Sequence, residues 1–430
     1  MNSTGFNKLQ EDVIEAGLCT ACGTCVGVCP KNSLEFDFAL EEPVLTGECK
    51  PCGICYAICP GKDIPLPELD RMLFSRERRV DKELLGICSR WQKGYATDPE
   101  VRQSAASGGC TSALLIYALE KGLIDGAIVV GMNLQYPWRT EPRLVTTRDE
   151  VLAAAQSKYA LVPSNILINE AEHRGLNRLA IVGLPCHIHG IRKMQMYGKP
   201  KKLISRIKFI IGLFCGTNRS YRATELSIAM GAGIPLESIA KLEYRGGPES
   251  QDRIITTRDG KTFIVPKKVV FESMAQIRRY RCEWCWDFSA ELADISVGDI
   301  FLPVENIRLP KVTSVITRTE SGALLIDGAK KRGYIDTTPL AESGFSFNIG
   351  LSSKKRNAAR NLIKRKVDGL PAPDYHYELK HEPPVLSDVK AAVLKQMTDI
   401  PEIVEWVERT PWLKEKLSAI DVEILQVMGQ

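Results

Sequence analysis

The chain has 430 residues, of which 44% are hydrophobic and 25% are charged, and this composition and length are typical of a soluble globular protein with two or three domains. No apolar run approaches the ~18 residues of a membrane span, so an integral membrane protein is not expected. The net charge of +5 is modest and the basic residues form no single dominant tract, which argues against a nucleic-acid-binding protein.

The first residues, MNSTGFNKLQEDVIEAG, lack the basic start and apolar core of a secretory signal. We therefore expect a cytoplasmic protein, and peripheral docking to a membrane complex is compatible with this. In a reducing compartment, the 14 cysteines are expected to be metal ligands rather than disulfides.

Two cysteine combs with the pattern C-x2-C-x2-C-x3-C-P lie within the first 60 residues. This spacing is typical of a bacterial-type ferredoxin with two 4Fe-4S clusters, in which the fourth cysteine of each comb binds the other cluster. We expect one cluster on Cys19, Cys22, Cys25 and Cys59, and the other on Cys49, Cys52, Cys55 and Cys29. Structural zinc is the alternative, but zinc sites use paired cysteines rather than triplets followed by Cys-Pro.

Between and within the combs, two local features support this interpretation. Gly23 and Gly53 are expected to keep side chains away where the backbone approaches the cluster sulfurs. The alternation of Leu34, Phe36 and Phe38 predicts a half-buried strand.

Six cysteines remain, and four of them occupy informative positions. Cys186 and Cys215 each end an apolar segment, as expected at the carboxyl edge of a parallel sheet, and Cys282 and Cys285 form a C-x2-C pair. Four thiolates could hold a third 4Fe-4S cluster, but Cys186 and Cys215 could equally be buried apolar fillers. Cys88 and Cys110 have no comparable setting and are interpreted as structural or incidental.

The segment SAASGGCTSALLIYALEKGLIDGAIVVG predicts a Ser-Gly-Gly turn, then a helix that ends near Gly122, then a strand at residues 127–130. A turn at a helix N-terminus offers free N–H groups to a phosphate, although it serves equally as a simple cap. Neither a dinucleotide fingerprint nor a P-loop occurs in the chain.

Taken together, these segments resemble the beta-subunit family of coenzyme F-420 hydrogenases and dehydrogenases, over about residues 90 to 373. The resemblance rests on six segments that follow the family's order: ASGGCTSALLIYALEKGLIDGAIVVG, AAAQSKYALVP, GLPCHIHGIRKMQ, IGLFC, CEWCWDFSAELADISVGDI and KKRNAARNLIKRKVDGLPAP. The preceding two-cluster module resembles the version in the input subunit of F-420H2 dehydrogenases.

The resemblance implies an α/β domain that holds FAD and, beside it, a third 4Fe-4S cluster on Cys186, Cys215, Cys282 and Cys285. The flavin contacts that it implies are Ser107, Gly108, Gly109, Thr111, Ser157, Lys158, Tyr159, Asp294, Gly298 and Asp299. The chain departs from the family at Gln156, where a small residue is usual.

The expected function is hydride exchange between coenzyme F-420 and FAD, with single electrons relayed through three clusters to or from a partner such as a hydrogenase, formate dehydrogenase or membrane dehydrogenase. No side chain is expected to act as general acid or base, and His187 and His189 are interpreted as structural. The cations considered for the coenzyme's anionic tail are Lys158, Arg192, Lys193 and residues 278–281. The alternatives are a ferredoxin-dependent FAD reductase for another organic substrate and a flavin-free polyferredoxin adaptor.

The predicted architecture is therefore α/β with three parts: a two-cluster ferredoxin domain at residues 1–75, a domain for FAD and one 4Fe-4S cluster at residues 90–373, and a linker with a helical docking tail at residues 374–430. The tail is expected to dock on the chain's own body or on a partner subunit, because its predicted helices carry many apolar residues.

Overall fold

The computed structural model describes residues 5–80, 82–246, 252–300, 311–340 and 348–377, and it describes no side chains at 274–276 and 348–353. The described residues up to Tyr377 belong to one compact unit. The predicted helices of the C-terminal tail lie outside the described residues. No described helix is both long enough and apolar enough to cross a membrane.

Strands are short and dispersed along the whole described chain. Their bounds are β1 Leu34–Asp37, β2 Glu42–Leu45, β3 Arg90–Ala96, β4 Gly126–Met132, β5 Thr140–Val145, β6 Leu179–Gly183, β7 Ile207–Leu213, β8 Ile239–Gly246, β9 Asp252–Thr257, β10 Thr262–Val265, β11 Ile295–Asp299, β12 Thr313–Thr317 and β13 Ile335–Pro339.

Helices alternate with the strands of the central part of the chain. Their bounds are α1 Phe6–Leu9, which continues as a π-helical turn Gln10–Ile14, α2 Thr24–Gly27, α3 Ile54–Ala57, α4 Leu66–Phe74, α5 Pro99–Ser104, α6 Cys110–Glu120, α7 Arg148–Ala153, α8 Leu167–His173, α9 Pro185–Tyr197, α10 Lys201–Ile204, α11 Arg222–Gly231, α12 Lys267–Gln276, α13 Glu320–Lys331 and α14 Asn348–Val367.

An eight-stranded mixed sheet organises the main body, with the order β13-β3-β12-β11-β7-β6-β4-β5. Its four central strands β11, β7, β6 and β4 are parallel, and β5 and β12 pair antiparallel on the two sides of this group. Every residue of β6 is buried, as expected for a strand covered on both faces. The carboxyl ends of the parallel strands meet at one edge, where ligands of α/β proteins commonly bind.

Helix α6 illustrates how the sequence pattern determines packing. Seven of its eleven residues are buried, and they pack with β4, β6 and α13 in the main hydrophobic core. The helix ends as predicted, because Gly122 directly follows its last turn with a left-handed φ of +61°. The strand predicted after it is confirmed as β4.

A second, smaller sheet with the order β10-β9-β8 lies between β7 and β11 in the chain and packs with α11 and α12. Its core contains Tyr244, Ile255 and Val265 together with Trp138, which comes from the segment between β4 and β5.

The ferredoxin module carries the β1–β2 hairpin, in which Leu34 and Phe36 are buried as predicted. The next predicted residue, Phe38, lies past the end of β1 and is 42% exposed. The α/β class with an N-terminal two-cluster ferredoxin module is thus confirmed.

Buried ion pairs connect this module with the main body. The guanidinium of Arg78 bonds the carboxylate of Asp70 at 2.7 Å and also contacts Glu291, which in turn accepts a bond from Lys355 at 2.6 Å. All four side chains are at most 4% exposed. Because removing one member would leave a buried charge uncompensated, we expect a single substitution in this set to be strongly destabilising.

Candidate iron–sulfur and flavin site

The eight comb cysteines line two separate pockets. One pocket is bordered by Cys19, Cys22, Cys25 and Cys59. The other is bordered by Cys29, Cys49, Cys52 and Cys55. Each comb therefore supplies three cysteines to one pocket and its last cysteine to the other, which is the exchange expected of a two-cluster ferredoxin.

The backbone around these pockets is shaped for the approach of sulfur. The N–H group of Ala21 points at the Sγ of Cys19 at 3.4 Å, and that of Gly61 points at the Sγ of Cys59 at 3.3 Å. Gly23 and Gly53 both have left-handed φ angles, of +79° and +71°. At Gly23 a Cβ would also lie 2.6 Å from Ile166, so this glycine permits contact with the main body, whereas the space at Gly53 is open.

The other four candidate ligands are brought together at the carboxyl edge of the large sheet. Cys186 begins α9 just after β6, and Cys215 follows the end of the adjacent strand β7. Cys282 and Cys285 lie on and after the 3-10 turn Tyr280–Trp284. The pKa of the Cys186 thiol is raised well above its usual value, first by burial and then by the neighbouring thiols of Cys22, Cys215, Cys282 and Cys285.

Two cations, Lys354 and Arg281, lie beside this third group of cysteines. Lys354 donates to the carbonyl oxygens of Cys215 at 2.6 Å and Asp287 at 2.8 Å. Burial opposes its charge, but the sulfurs of Cys285, Cys215 and Cys282 raise the pKa of Lys354 above its ordinary value. The Arg281 side chain is 3% exposed and donates to the carbonyl oxygen of Gly61 at 3.3 Å. These cations offset the negative charge that four thiolates and an iron–sulfur core would bring.

The two histidines next to Cys186 have structural surroundings. The Nδ1 of His187 accepts the N–H of Leu184 at 3.1 Å, and burial lowers the pKa of His187 to about 4. The Nε2 of His189 lies 3.0 Å from the carboxylate of Asp287, and both groups are buried.

The first group of expected flavin contacts lies where α6 begins. Gly109 has a φ of +80°, and no side chain caps the helix, which leaves its first N–H groups available. A Cβ on Gly108 would lie 2.5 Å from the carbonyl oxygen of Gly94 and 2.8 Å from the nitrogen of Thr313. Ser107 reaches the hydroxyl of Thr313 at 3.1 Å. Thr111 lies half-buried in the first turn of α6.

The second group of expected flavin contacts, Ser157 to Tyr159, follows the end of α7 rather than the start of a helix. The Lys158 Nζ donates to the carbonyl oxygens of Ala154 and Ala155, each at 2.6 Å, and so closes the end of that helix. Burial, with a smaller contribution from Arg143, lowers the pKa of Lys158 to about 7. Gln156 has a φ of +74°, a conformation that glycine adopts more easily than a residue with a Cβ. Ser157 is half-buried beside it.

Tyr159 connects this segment to the end of β11. The pKa of its hydroxyl is raised mainly by burial, with Arg245 lowering it and Asp299 raising it, so all three groups are neighbours. Arg245 binds the two oxygens of Asp299 at 3.0 and 2.8 Å. At Gly298, a Cβ would overlap the ring of Phe214, which precedes Cys215.

Asp294 is not brought together with these residues. It directly precedes β11, at the end of the strand opposite Asp299. Its carboxylate accepts bonds from Arg192 at 2.7 Å, the Thr319 hydroxyl at 2.8 Å and the Ile210 N–H at 2.8 Å. Because these donors occupy it, its surroundings indicate a structural ion pair.

Several of the cations considered for the coenzyme's anionic tail bond other groups of the protein instead. Arg192 and Lys193 are buried, and Lys193 donates to the carbonyl oxygen of Cys59 at 2.7 Å. Arg279 donates to the carbonyl oxygen of Cys19 at 2.8 Å. Arg278 remains largely exposed, at 3.2 Å from Glu283.

Sequence reasoning did not single out Lys354, Arg245, Thr313 or Arg281 individually as parts of the site. Lys354 opens one of the matching basic segments, and Arg281 directly precedes Cys282, so position alone was a weak signal for both. Arg245 and Thr313 had no such signal, because Thr313 becomes the pairing partner of Asp299 only in the large sheet, and Arg245 reaches the same carboxylate from the smaller sheet. Cys110 is buried against Thr313, and burial raises the pKa of its thiol to about 12. Cys88 lies beside the Trp91 indole.

An α/β sheet with four neighbouring cysteines at its carboxyl edge, preceded in the chain by two cysteine combs, is the arrangement of an iron–sulfur redox protein. Residues 92–169 and 176–343 match the models of the N-terminal and C-terminal parts of the coenzyme F-420 hydrogenase/dehydrogenase beta subunit. Residues 11–60 match a 4Fe-4S dicluster domain.

Named relatives give the same result. The chain is 32% identical over 295 residues to the beta subunit of the coenzyme F-420 hydrogenase of Methanothermobacter thermautotrophicus, covering 67% of this chain and 99% of that protein. It is 28% identical over 317 residues to one of the subunits of the F-420H2 dehydrogenase of Methanosarcina mazei, covering 74% and 83%. This chain belongs to the coenzyme F-420 hydrogenase/dehydrogenase beta-subunit family.

A solved structure has the same fold over most of the chain. It is a chain of the F-420-reducing [NiFe] hydrogenase complex from Methanosarcina barkeri, with a TM-score of 0.57 and 27% identity, covering 68% of this chain and 97% of that one.

Proposed function

We propose that this chain is the subunit of a larger redox complex that oxidises or reduces coenzyme F-420, and that it relays single electrons through FAD and three 4Fe-4S clusters to or from a partner redox subunit. The observation that carries this proposal is the grouping of twelve cysteines into three sets of four, in a chain of this family. A hydrogenase, a formate dehydrogenase or a membrane dehydrogenase is the kind of partner we propose, in the cytoplasm or at the surface of a membrane complex.

The cysteine sets fit iron–sulfur clusters in three respects. Their donors are thiols, backbone N–H groups point at several sulfurs, and the cations of Lys354 and Arg281 stand beside the third set. Within the described ranges, no three Cys, His, Asp or Glu side chains converge as the ligands of one metal ion would. The absence of such a convergent group among the described residues is compatible with 4Fe-4S clusters, since each thiolate of a cluster binds a different iron.

The arrangement suggests an order for the clusters. Cys186 is near enough to Cys22 for the two thiols to interact electrostatically, so the Cys19, Cys22, Cys25 and Cys59 set faces the third set. The other set includes the exposed Cys52, and Lys31 and Lys50 border its pocket. We infer that electrons enter or leave the chain through this outer set.

The candidate flavin residues fit FAD at the edge next to Cys215. Ser107, Gly108 and Gly109 offer an uncapped helix start for a phosphate, and Tyr159, Gly298 and Asp299 lie at the ends of neighbouring segments of the same edge. FAD, when bound, exchanges a hydride with the deazaflavin coenzyme and single electrons with a cluster. The protein's contribution is to hold the two ring systems together and exclude water.

The decisive experiment is anaerobic purification of the full chain, followed by iron and flavin analysis and an assay of F-420H2-dependent reduction of a dye. About twelve irons, one FAD and coenzyme-dependent dye reduction support the proposal. About eight irons without flavin would support the polyferredoxin adaptor instead. Three clusters and FAD without turnover of F-420H2 would favour the reductase for another substrate.

A further inference from the structure

A buried amide, that of Asn165, spans the distance between two of the cysteine sets. Its Nδ2 donates to the hydroxyl of Thr24 at 2.8 Å and to the carbonyl oxygen of His187 at 2.9 Å. Thr24 stands two residues after Cys22, and His187 directly follows Cys186. Asn165 and Thr24 have no exposed surface, so water does not compete for these bonds.

The chain of polar contacts continues to a cluster ligand. The Oγ1 of Thr24 lies 3.1 Å from the Sγ of Cys22. A thiolate bound to iron has no proton to donate, so with a cluster in place the hydroxyl is the donor and the sulfur is the acceptor. The same hydroxyl oxygen accepts the amide of Asn165, which fixes the direction of both bonds.

Helix α2 packs so closely against α9 and against the segment of Asn165 that only glycine fits at residues 27 and 190. A Cβ on Gly190 of α9 would lie 2.2 Å from the Thr24 Oγ1, and a Cβ on Gly27 of α2 would lie 1.9 Å from the carbonyl oxygen of Asn165. The N–H of Asn165 further donates to the carbonyl oxygen of Cys22 at 3.2 Å. The helix that begins beside Cys186 is therefore pressed against the loop that carries Cys22.

We propose that Asn165 and Thr24 are positioning residues that hold the cluster bound by Cys22 against the cluster bound by Cys186, and that the Thr24 hydroxyl tunes the former through its bond to sulfur. This inference rests on the proposed function. In the step that it serves, one electron leaves one cluster, which is oxidised, and enters the other, which is reduced, while no proton moves and no covalent bond changes.

The test uses the anaerobic full chain with Thr24→Val, which is nearly isosteric, and Thr24→Ser, which keeps the hydroxyl. Asn165→Ala removes the bridging amide. Thr224→Val is the matched control, because Thr224 is also fully buried and bonds a hydroxyl, that of Tyr244 at 2.9 Å, in the smaller sheet. The readouts are iron content, cluster potentials from redox titrations followed by electron paramagnetic resonance, magnetic coupling between reduced clusters, and the rate at which the ferredoxin clusters are reduced after F-420H2 is mixed in.

We expect Thr24→Val to shift the potential of one ferredoxin cluster to a more negative value, because the lost bond had stabilised the reduced, more negatively charged state. Transfer into the ferredoxin module should slow on the order of tenfold in Thr24→Val and Asn165→Ala, and Asn165→Ala should weaken the magnetic coupling. Thr24→Ser and Thr224→Val should keep the wild-type values.

Unchanged potentials and transfer rates in Thr24→Val, at full iron content, would overturn the inference, even if its melting temperature fell. If Asn165→Ala loses iron, Thr24→Val and Thr24→Ser still decide the question. A wild-type chain with fewer than three clusters would instead refute the proposed function, and the inference with it.

Discussion

The ammonium group of Lys193 lies 2.7 Å from the carbonyl oxygen of Cys59, and this bond joins the helix that begins beside Cys186 to the last cysteine of the second comb. Lys193 also bonds the carboxylate of Asp63, and its side chain is only 2% exposed. The ferredoxin module and the sheet are thus connected at the base of a candidate cluster.

Replacement of Lys193 by Met should therefore loosen this connection. The Cys59 carbonyl and the Asp63 carboxylate would each lose a buried donor, which should cost about 2 kcal/mol of unfolding free energy and speed the loss of iron to a chelator. Lys62→Met is the control, since Lys62 approaches the same carboxylate at 3.6 Å from a more exposed position. Equal effects of both substitutions, measured by thermal unfolding and chelation rate, would contradict this interpretation.

Removal of a single thiol should show whether that cysteine binds a cluster, and to which of the three sets it belongs. Cys282→Ser is expected to lower the iron content from about twelve to about eight per chain while the two ferredoxin clusters stay intact. Cys88→Ser should leave the iron unchanged, because Cys88 stands beside the Trp91 indole rather than in any of the three sets. Iron analysis and cluster spectra of the two variants decide this, and full iron in Cys282→Ser would remove that residue from the ligands.

A methyl group at residue 108 should interfere with flavin binding. The Cβ of Gly108→Ala would press on the Gly94 carbonyl and on Thr313, so the turn before α6 must shift, at a cost of about 1–3 kcal/mol. We expect at least a tenfold weaker retention of flavin at unchanged iron content. Gly122→Ala is the control, because it strains the opposite end of the same helix, at a left-handed φ of +61° where the surrounding space is open. Normal flavin content in Gly108→Ala would place the cofactor elsewhere.

The half-buried Lys158 should make the stability of the protein depend on pH. Its pKa of about 7 in the folded chain lies below the ordinary lysine value, so between those two values the unfolded chain binds more protons. Stability of the flavin-free protein should consequently rise from pH 7.5 to 9, by at most about 1.4 kcal/mol per pH unit. This slope should be lost in Lys158→Met when denaturant midpoints are compared across this range.

Flavin provides the second part of this test. A flavin phosphate beside Lys158 would favour the charged ammonium and raise its pKa, so the slope should flatten in the flavin-loaded protein. If the slope is the same with and without flavin, Lys158 closes α7 and does not contact the cofactor.

Arg278 is the cation in the 278–281 stretch that remains largely exposed and is therefore placed to meet an anionic coenzyme tail. Arg278→Glu should raise the KM for F-420 about two- to fivefold at low salt, leave kcat unchanged, and lose this effect at high salt. Arg174→Glu, a reversal of another exposed arginine, serves as the control. An unchanged KM in steady-state assays at low salt would exclude Arg278 from coenzyme binding.

The local sequence was sufficient to predict the features that depend on the spacing between residues close together in the chain. The two combs predicted the ferredoxin module because three thiols with two residues between neighbours can wrap one cluster. The sequence pattern also predicted α6, its end near Gly122 and the following strand. The strand through Phe38 was predicted too long, since the chain turns after Asp37 and leaves that ring exposed.

Only the tertiary structure determined which residues from distant segments contact one another. Asp294 and Asp299 are five residues apart, yet β11 carries them to opposite ends of the sheet, so one enters an ion pair with Arg192 and the other meets Arg245 and Tyr159. Arg192 and Lys193 looked like surface charges, but α9 buries both against partners that are at least 100 residues away in the chain. Such long-range pairings leave no periodic trace in the sequence, because they depend on which strands become neighbours and on which face of each helix the sheet covers.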